Sequence, residues 1–276
     1  MLLEFTKMHG LGNDFIVLEL AADAALPQPA QWRALAARNT GIGFDQALVV
    51  QPPRRDGTAA FYRVFNADGS EVEQCGNGAR CVAALLHERG RATGLRLTLD
   101  SPAGLVHAEL QPNGLVAVDM GVANFAPAAL PFTAPVEALH YSLRIGAQDV
   151  EFGAVSMGNP HAVLTVPDVK NAPVASLGAM IEAHRAFPQR VNVGFMQLVD
   201  SAHINLRVFE RGVGETQACG TGACAAVAVG QRHGQLKSEV EVTLPGGMLT
   251  IRCEGPGQSV WMTGPAVTSF VGRVKI

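Results

Sequence analysis

Short runs in which apolar and polar residues alternate recur along the chain, and turns rich in Gly, Pro and Asn separate them. A period of two is typical of strands that bury one face. The pattern predicts strands at Glu4–His9, Phe15–Leu20, Phe61–Phe65, Leu95–Leu99, Gly104–Leu110, Leu115–Met120, Val150–Ser156, His161–Val166, Val191–Val199, Ile204–Phe209, Val240–Leu244, Met248–Cys253, Ser259–Met262 and Phe270–Lys275. We therefore expect a fold that is rich in β-structure.

Four segments have instead the length and composition of helices. Gln31–Arg38 and Val174–Phe187 are predicted as helices. Asn77–Arg89 and Thr221–Arg232 are apolar on nearly every side, which is typical of a buried helix. We expect each of these two helices to be wrapped by the strands of its own half of the chain. Asn124–Pro135 is rich in Ala and Pro and has no periodicity, which predicts a linker between two domains.

Length and charge narrow the class of protein. The chain has 276 residues, of which 48% are hydrophobic and 16% charged, and its net charge is −3. Because roughly 150 residues per domain is typical, this length predicts about two domains. The lack of a basic excess argues against a nucleic-acid partner, and no apolar run approaches the ~20 residues of a membrane span. Glu4 and Lys7 are incompatible with a signal-peptide core, so we expect a cytoplasmic protein.

Cysteine spacing also excludes some classes of site. The five cysteines are Cys75, Cys81, Cys219, Cys224 and Cys253. An odd, sparse set in a chain of this size is not typical of a disulfide framework. No two of them have the spacing of a zinc ribbon, so we expect no metal. We expect Cys81, Cys224 and Cys253 to be core residues.

The two halves of the chain share a motif. Its first copy consists of Arg63, Val64, Phe65, Glu71, Cys75, Gly76, Gly78 and Ala79. Its second copy consists of Arg207, Val208, Phe209, Glu215, Cys219, Gly220, Gly222 and Ala223, and every pair is offset by 144 residues. Gly12–Asn13 and Gly158–Asn159 form a weaker pair offset by 146 residues. These spaced identities predict a duplicated domain.

Each copy of the motif places a cysteine, Cys75 or Cys219, just before a Gly-rich helix start. Free N–H groups and the helix dipole at such a position lower a thiol pKa and bind a carboxylate. If both cysteines face one pocket, one sulfur can remove a proton from the carbon beside a bound carboxylate, and the other can return a proton to the opposite face. That chemistry is racemisation or epimerisation by two bases, and it needs no cofactor. A pair of buried structural cysteines is the alternative, which their identical placement in two repeats disfavours.

Longer motifs carry a family resemblance: Met8–Phe15, Asn66–Ser70, Cys75–Cys81, Gly158–His161, Glu210–Thr216 and Ala218–Gly222. In this order they resemble the diaminopimelate epimerase family. The resemblance implies an α/β (α+β) fold of two pseudo-symmetric domains, each a barrel-like, mostly antiparallel sheet around a central helix, with the site in the cleft between them. The domains are expected at residues 1–122 and 123–264, with a C-terminal strand at 265–276 returning to the first. It also implies a cofactor-independent, homodimeric enzyme of lysine biosynthesis that interconverts LL- and meso-2,6-diaminopimelate.

The same resemblance implies roles for individual residues. Cys75 and Cys219 match the catalytic cysteines, with Cys219 as proton acceptor and Cys75 as proton donor in the LL-to-meso direction. His161 and Glu210 match residues that tune the pKa values of the cysteines. The substrate contacts of the family fall on Asn13, Gln46, Asn66, Gly76, Asn77, Asn159, Asn192, Glu210, Arg211, Gly220 and Thr221. Phe270 stands where the family often has a Tyr linked to dimer formation, so the apolar contact can persist without the hydroxyl.

Two other functions compete with this one. A proline or hydroxyproline racemase of the same architecture shares the two cysteines. Its substrate has no second amino-acid end, and the residues that suit such an end are Asn66, Asn159, Asn192 and Arg211. A non-enzymatic redox or metal-binding module is the other alternative, and no His/Cys cluster with ligand spacing supports it.

Overall fold

The computed structural model describes residues 2–72, 75–92 and 94–276. The chain divides into two units, one formed by Met1–Val118 with Thr263–Ile276 and the other by Asp119–Met262. The elements up to residue 122 are β1 (Leu2–Gly10), β2 (Asn13–Glu19), α1 (Pro29–Ala36), β3 (Gln46–Gln51), β4 (Ala60–Asn66), β5 (Glu71–Val72), α2 (Gly76–Glu88), β6 (Arg96–Ser101), β7 (Gly104–Leu110) and β8 (Val116–Val122).

After a 3₁₀ turn at Pro127–Ala129 the order of elements repeats. The elements are β9 (Tyr141–Ile145), β10 (Gln148–Ser156), β11 (Pro160–Thr165), α3 (Val174–Glu182), β12 (Asn192–Asp200), β13 (His203–Glu210), β14 (Gly214–Thr216), α4 (Gly220–Arg232), β15 (Glu239–Leu244), β16 (Gly247–Arg252), β17 (Ser259–Gly264) and β18 (Val267–Lys275). None of the helices in the part of the chain that the structure describes has the length and apolar run that a bilayer crossing requires.

Strand pairing follows the same order in both units. In the first unit β1 pairs with β2 and β3 with β4 antiparallel, β2 pairs with β3 and β4 with β6 parallel, and β6 pairs with β7 antiparallel. In the second unit β10, β11, β12, β13, β15 and β16 make the corresponding pairs with the same directions. A further antiparallel strand flanks each set, β18 beside β1 and β9 beside β10. The duplication predicted from the motif is therefore also a duplication of topology.

The two 13-residue helices α2 and α4 are the central helices of their units. α2 packs against β1, β2, β3 and β7, and α4 packs against β10, β11, β12, β13 and β16. Their apolar side chains lie in the core, Cys81 and Leu86 in α2 and Cys224 and Val227 in α4 among them. The prediction that these two segments are buried helices is confirmed. Each unit is thus a barrel-like, mostly antiparallel sheet around a central helix.

The segment predicted to be a linker is instead part of the core of the second unit. Leu130 is fully buried, and the ring of Phe132 stacks on Phe187 with ring centroids 4.7 Å apart. Phe132 also contacts Tyr141 and Phe152 edge-on. The prediction of a linker at Asn124–Pro135 was wrong, because two large apolar side chains anchor a segment that has no periodicity of its own.

The alternation pattern identified most strands but missed β3, β5, β9 and β14. Gln46–Gln51 lies between β2 and β4 and is buried along nearly its whole length, so it does not alternate. β5 and β14 have two and three residues, too few to show an alternating pattern. β9 has five residues that do alternate, and it was overlooked. The helix predicted at Val174–Phe187 ends at Glu182, and the residues up to Phe187 form a turn.

Candidate active site

Both cysteines of the repeated motif occupy the N-cap position of a central helix. Cys75 precedes α2 with extended backbone (φ −142°, ψ 110°), and its sulfur accepts the Gly78 N–H at 3.4 Å. Cys219 precedes α4, also with extended backbone (φ −98°, ψ 103°), but its side chain forms no cap hydrogen bond. The two thiols therefore share a backbone position in the repeat, and differ in how they contact the first turn of the helix.

A polar bridge joins each helix start to the preceding hairpin. In the first unit the Asn77 amide donates to Asn13 Oδ1 at 3.2 Å, and the Cys75 sulfur lies 4.0 Å from that oxygen. In the second unit the Asn159 amide donates to Thr221 Oγ1 at 3.2 Å. Thr221 Oγ1 lies 3.7 Å from the sulfur of Cys219. The weak pair of asparagines seen in the sequence is thus a pair of equivalent contacts beside the two thiols.

His161 extends the bridge of the second unit into the core. Its Nε2 donates to Asn159 Oδ1 at 2.9 Å, since the amide nitrogen of Asn159 faces Thr221. Burial, with a smaller contribution from the charge of Arg211, lowers the pKa of His161 from 6.5 to about 3. The imidazole is therefore neutral near pH 7 and acts as a hydrogen-bond donor rather than as a positive charge.

The environment of Cys219 opposes ionisation of its thiol. Burial raises the pKa of Cys219 well above its ordinary value, and the nearby Glu210 carboxylate raises it further. Thr221 and the Gly222 N–H act in the opposite direction but do not overcome burial. Thr216 Oγ1 donates to Glu210 Oε1 at 2.5 Å. The lowered thiol pKa expected from the helix N-terminus is therefore not found at Cys219, because the expectation left out desolvation and the carboxylate.

A second polar group in the first unit joins two of the predicted substrate contacts. The Gln46 amide donates to Asn66 Oδ1 at 3.0 Å, and the Asn66 amide donates to Ser70 Oγ at 3.1 Å. Gln46 and Asn66 face each other across the β3–β4 pair. Asn66 occupies the place in the first repeat that Glu210 occupies in the second, so an amide stands where the second unit has a carboxylate.

Arg211 lies in the turn that follows β13. Its backbone N–H donates to Asn192 Oδ1 at 3.0 Å, and the Asn192 amide donates to the Pro160 carbonyl at 2.9 Å. The amide of Asn192 is thus engaged within the protein, where it positions Arg211. Arg211 Nη1 donates to the Gln189 carbonyl at 3.3 Å. Among the described residues no carboxylate forms an ion pair with Arg211, so its guanidinium can take a carboxylate ligand.

The predicted site residues fall into one set in each unit. The first set is Asn13, Gln46, Asn66, Cys75, Gly76 and Asn77, and the second is Asn159, His161, Asn192, Glu210, Arg211, Cys219, Gly220 and Thr221. Phe270 belongs to neither set. It lies half-exposed on β18, where its ring contacts Phe5 edge-on.

Two equivalent ion pairs next to these sets were not predicted from the sequence: Arg63 with Glu71, and Arg207 with Glu215. Arg63 forms two hydrogen bonds of 2.7 Å to Glu71. Arg207 forms the equivalent bonds to Glu215, at 2.6 and 2.9 Å. Each ion pair ties the strand before a catalytic-cysteine candidate to the short strand that leads into it. The signal was in the repeat, which has Arg and Glu eight residues apart in both copies.

Comparison with known proteins gives a consistent result. A model of the diaminopimelate epimerase family matches residues 5–126 and 153–269. A diaminopimelate epimerase of Stutzerimonas stutzeri (strain A1501) is 53% identical over 276 residues, and the match covers 100% of both chains. A diaminopimelate epimerase of Nitrosomonas europaea is also 53% identical over 276 residues, with the same full coverage.

Solved structures of other activities share the fold. A hydroxyproline epimerase from Agrobacterium vitis superposes with a TM-score of 0.71 at 16% identity, covering 99% of this chain and 92% of its own. A phenazine biosynthesis protein of the PhzF family from Bacillus anthracis gives 0.70 at 17% identity, with 100% of both chains covered. At these identities the likeness shows the architecture alone.

Proposed function

The chain belongs to the diaminopimelate epimerase family, and we propose that it interconverts LL- and meso-2,6-diaminopimelate in lysine biosynthesis without a cofactor. The observation that carries this proposal is the equivalent placement of Cys75 and Cys219, each at the N-cap of a central helix. An epimerase that works by two bases needs an acid–base group on each face of the reacting carbon, and a duplicated domain supplies two such groups.

In the LL-to-meso direction Cys219 removes the α-proton and Cys75 delivers a proton to the opposite face of the same carbon. The N–H groups of the helix starts at Gly76–Asn77 and Gly220–Thr221 stabilise the negative charge that grows on the adjacent carboxylate. The raised thiol pKa of Cys219 means that the thiol is protonated in the free enzyme. For Cys219 to accept the α-proton, its own thiol proton must leave first, and the neighbouring Glu210 carboxylate is the base that takes it. The positive charge of the substrate's α-ammonium favours the resulting thiolate.

The distal end of the substrate is a second amino-acid group, and Arg211 suits its carboxylate. A guanidinium can bind a carboxylate through two parallel hydrogen bonds. Glu210 can accept hydrogen bonds from an ammonium, and the asparagine amides offer both donors and acceptors. The remaining substrate contacts are proposed at Asn13, Gln46, Asn66, Asn159 and Asn192. Because Asn192 already binds Arg211 and Pro160, we assign it to positioning as much as to contact.

Solvent deuterium exchange tests the reaction. Purified protein in D₂O should incorporate one deuterium at the α-carbon of LL-diaminopimelate and yield the meso isomer, as seen by mass spectrometry and chiral separation. Cys75→Ala and Cys219→Ala should each lower turnover by about 10²–10⁴-fold or more, because each removes an acid–base group. Cys253→Ala is the matched control, since Cys253 lies outside both predicted sets of site residues. Exchange on proline but not on diaminopimelate would support the racemase alternative, and near-normal turnover of a folded Cys219→Ala variant would exclude the two-base mechanism.

We further propose a cytoplasmic homodimer. Phe270 and Val271 are 50% and 69% exposed on β18, an apolar surface that a second copy could cover. Phe270→Asp should convert a dimer into a monomer in light scattering. An unchanged mass would place the dimer contact elsewhere or show that the protein is monomeric.

A further inference from the structure

Glu182, the last residue of α3, is a buried carboxylate that the proposed reaction does not use. The residue is 4% exposed. Its Oε1 accepts the Gly212 N–H at 3.0 Å and Arg190 Nη1 at 3.1 Å, and Oε2 lies 3.2 Å from the same Nη1. A buried carboxylate is costly unless it is paired, so these two contacts define where the carboxylate lies.

Gly212 and Arg190, the two partners of Glu182, lie in two different turns, one of which contains Arg211. One turn is residues 210–213, closed by the Val213 N–H on the Glu210 carbonyl at 3.1 Å, and we call it the Arg211 turn. The other is residues 187–190, closed by the Arg190 N–H on the Phe187 carbonyl at 2.8 Å. This second turn also supplies the Gln189 carbonyl that binds the Arg211 guanidinium. Glu182 therefore joins the turn that carries Arg211 to the turn that orients its side chain.

The backbone at Arg190 supports a role for this connection. Arg190 has φ +61°, a left-handed conformation that is strained for a residue other than glycine. Its side chain is 60% exposed, so burial of apolar surface does not explain the residue. The side chain of this strained residue forms its hydrogen bonds to Glu182.

The repeat provides an internal comparison. α1, the counterpart of α3 in the first unit, ends at Ala36, which has no side-chain acceptor. The position equivalent to Arg211 in the first unit is Ala67. The carboxylate at the helix end and the guanidinium in the turn thus occur in the same unit and are both missing from the other.

We propose that Glu182 is a positioning residue that holds the Arg211 turn, and with it the guanidinium, in place for the distal carboxylate of the substrate. The inference rests on the proposed function for the role of Arg211, while the anchoring of the turn stands on the hydrogen bonds themselves. A positioning residue for the distal end affects substrate binding more than the proton transfers at the cysteines.

Steady-state kinetics on LL-diaminopimelate test the proposal. Glu182→Ala should raise KM by about tenfold or more and change kcat by less than about threefold. Glu182→Gln should raise KM less, because its amide oxygen can still accept the Gly212 N–H. Glu241→Gln is the matched control, since Glu241 pairs with His203 at 3.2 Å on the surface of the same unit. A folded Glu182→Ala variant with wild-type KM would overturn the proposal, as would equal losses in kcat and kcat/KM.

A second variant covers the case in which Glu182→Ala does not fold. Arg190→Gly should fold readily, because glycine adopts a positive φ at little cost, and it removes one of the two partners of Glu182. The KM of Arg190→Gly should rise, as that of Glu182→Gln should. Wild-type KM values in Arg190→Gly and Glu182→Gln would overturn the proposal.

Hydrogen exchange at residues 210–213 gives a readout that needs no substrate. Exchange should be faster in the Glu182 variants than in wild type, and unchanged exchange would again overturn the anchoring. If wild-type protein shows no epimerisation while the variants loosen the turn, the proposed function fails and the anchoring stands.

Discussion

At the scale of single residues, the two cysteines of the epimerase share a backbone position but differ in their polar neighbours. Cys219 lies near Glu210 and beside Thr221, and Cys75 lies near Asn13. The negative charge near Cys219 raises the pKa of its thiol and also provides a base that can take the proton. The two thiols thus occupy equivalent helix N-caps, and the polar side chains that contact them differ between the two units.

The neutral state of His161 predicts a dependence of stability on pH. Its pKa in the folded protein is about 3, below the ordinary 6.5, so the unfolded chain binds the proton more readily in this window. The free energy of unfolding should therefore fall as the pH is lowered from about 6.5 towards 3, by up to about 1.4 kcal/mol per pH unit from this group.

His161→Gln keeps a donor for Asn159 Oδ1 and removes the titration. Urea unfolding of both proteins at pH 4, 5, 6 and 7 checks the prediction. The difference in unfolding free energy between wild type and variant should change with pH in the stated direction. A difference that is constant across this range would show that folding leaves the pKa of His161 unchanged, and would contradict the prediction.

At the scale of elements, the glycine in the third position of each central helix allows close packing beside the thiol at its N-cap. A Cβ on Gly222 would lie 2.9 Å from Val208 Cγ2 and 3.1 Å from the sulfur of Cys219. A Cβ on Gly78 would lie 2.8 Å from Leu48 Cδ2. The absence of a side chain at this position lets the first turn of the helix pack closely against the neighbouring strand.

Gly222→Ala should therefore destabilise the epimerase, although alanine is the better helix former by about 1 kcal/mol. The clash with Val208 and Cys219 costs about 1–3 kcal/mol and outweighs helix propensity. Thermal and urea unfolding measure the net change. Gly194→Ala, in β12 of the same unit, is the control, because its Cβ would have 3.6 Å to its nearest neighbour. If Gly222→Ala is as stable as wild type, the packing argument fails.

The sequence could predict the elements in which burial leaves a regular pattern of apolar residues. The central helices were recognised because they are apolar all round, and most strands because they alternate. β3 could not be predicted, because a strand buried on both faces shows no alternation. The packing of Leu130 and Phe132 could not be predicted either, because it depends on partners distant in the chain. At the site, the repeat identified Cys75 and Cys219 from residue spacing alone. The roles of Thr216 and Glu182 depend on tertiary contacts that no spacing reveals.

At the scale of the whole molecule, the first unit is made of two separate parts of the chain. β18 pairs with β1 over nearly its full length, from Leu2 opposite Lys275 to His9 opposite Val267. The backbone carbonyl of Pro265 also accepts a hydrogen bond from Arg80 of α2 at 3.3 Å. The second unit, in contrast, is continuous from Asp119 to Met262.

Removal of residues 265–276 should unfold the first unit selectively. The truncation leaves one edge of β1 without its partner strand and exposes the apolar side chains beneath it. Hydrogen exchange followed by mass spectrometry should show fast exchange in β1, β2 and α2 and slow exchange in α4. Val271→Thr is the control, because Val271 is 69% exposed and the substitution keeps the backbone ladder. Slow exchange in β1 of the truncated chain would contradict the prediction.

The late position of β18 also sets an order of events during translation. As the nascent chain leaves the ribosome, the continuous unit has all of its strands available before the discontinuous one does. The N-terminal half then keeps one edge of β1 open until β18 has emerged. The half that carries Cys75 is therefore completed only after every strand of the Cys219 half has been made.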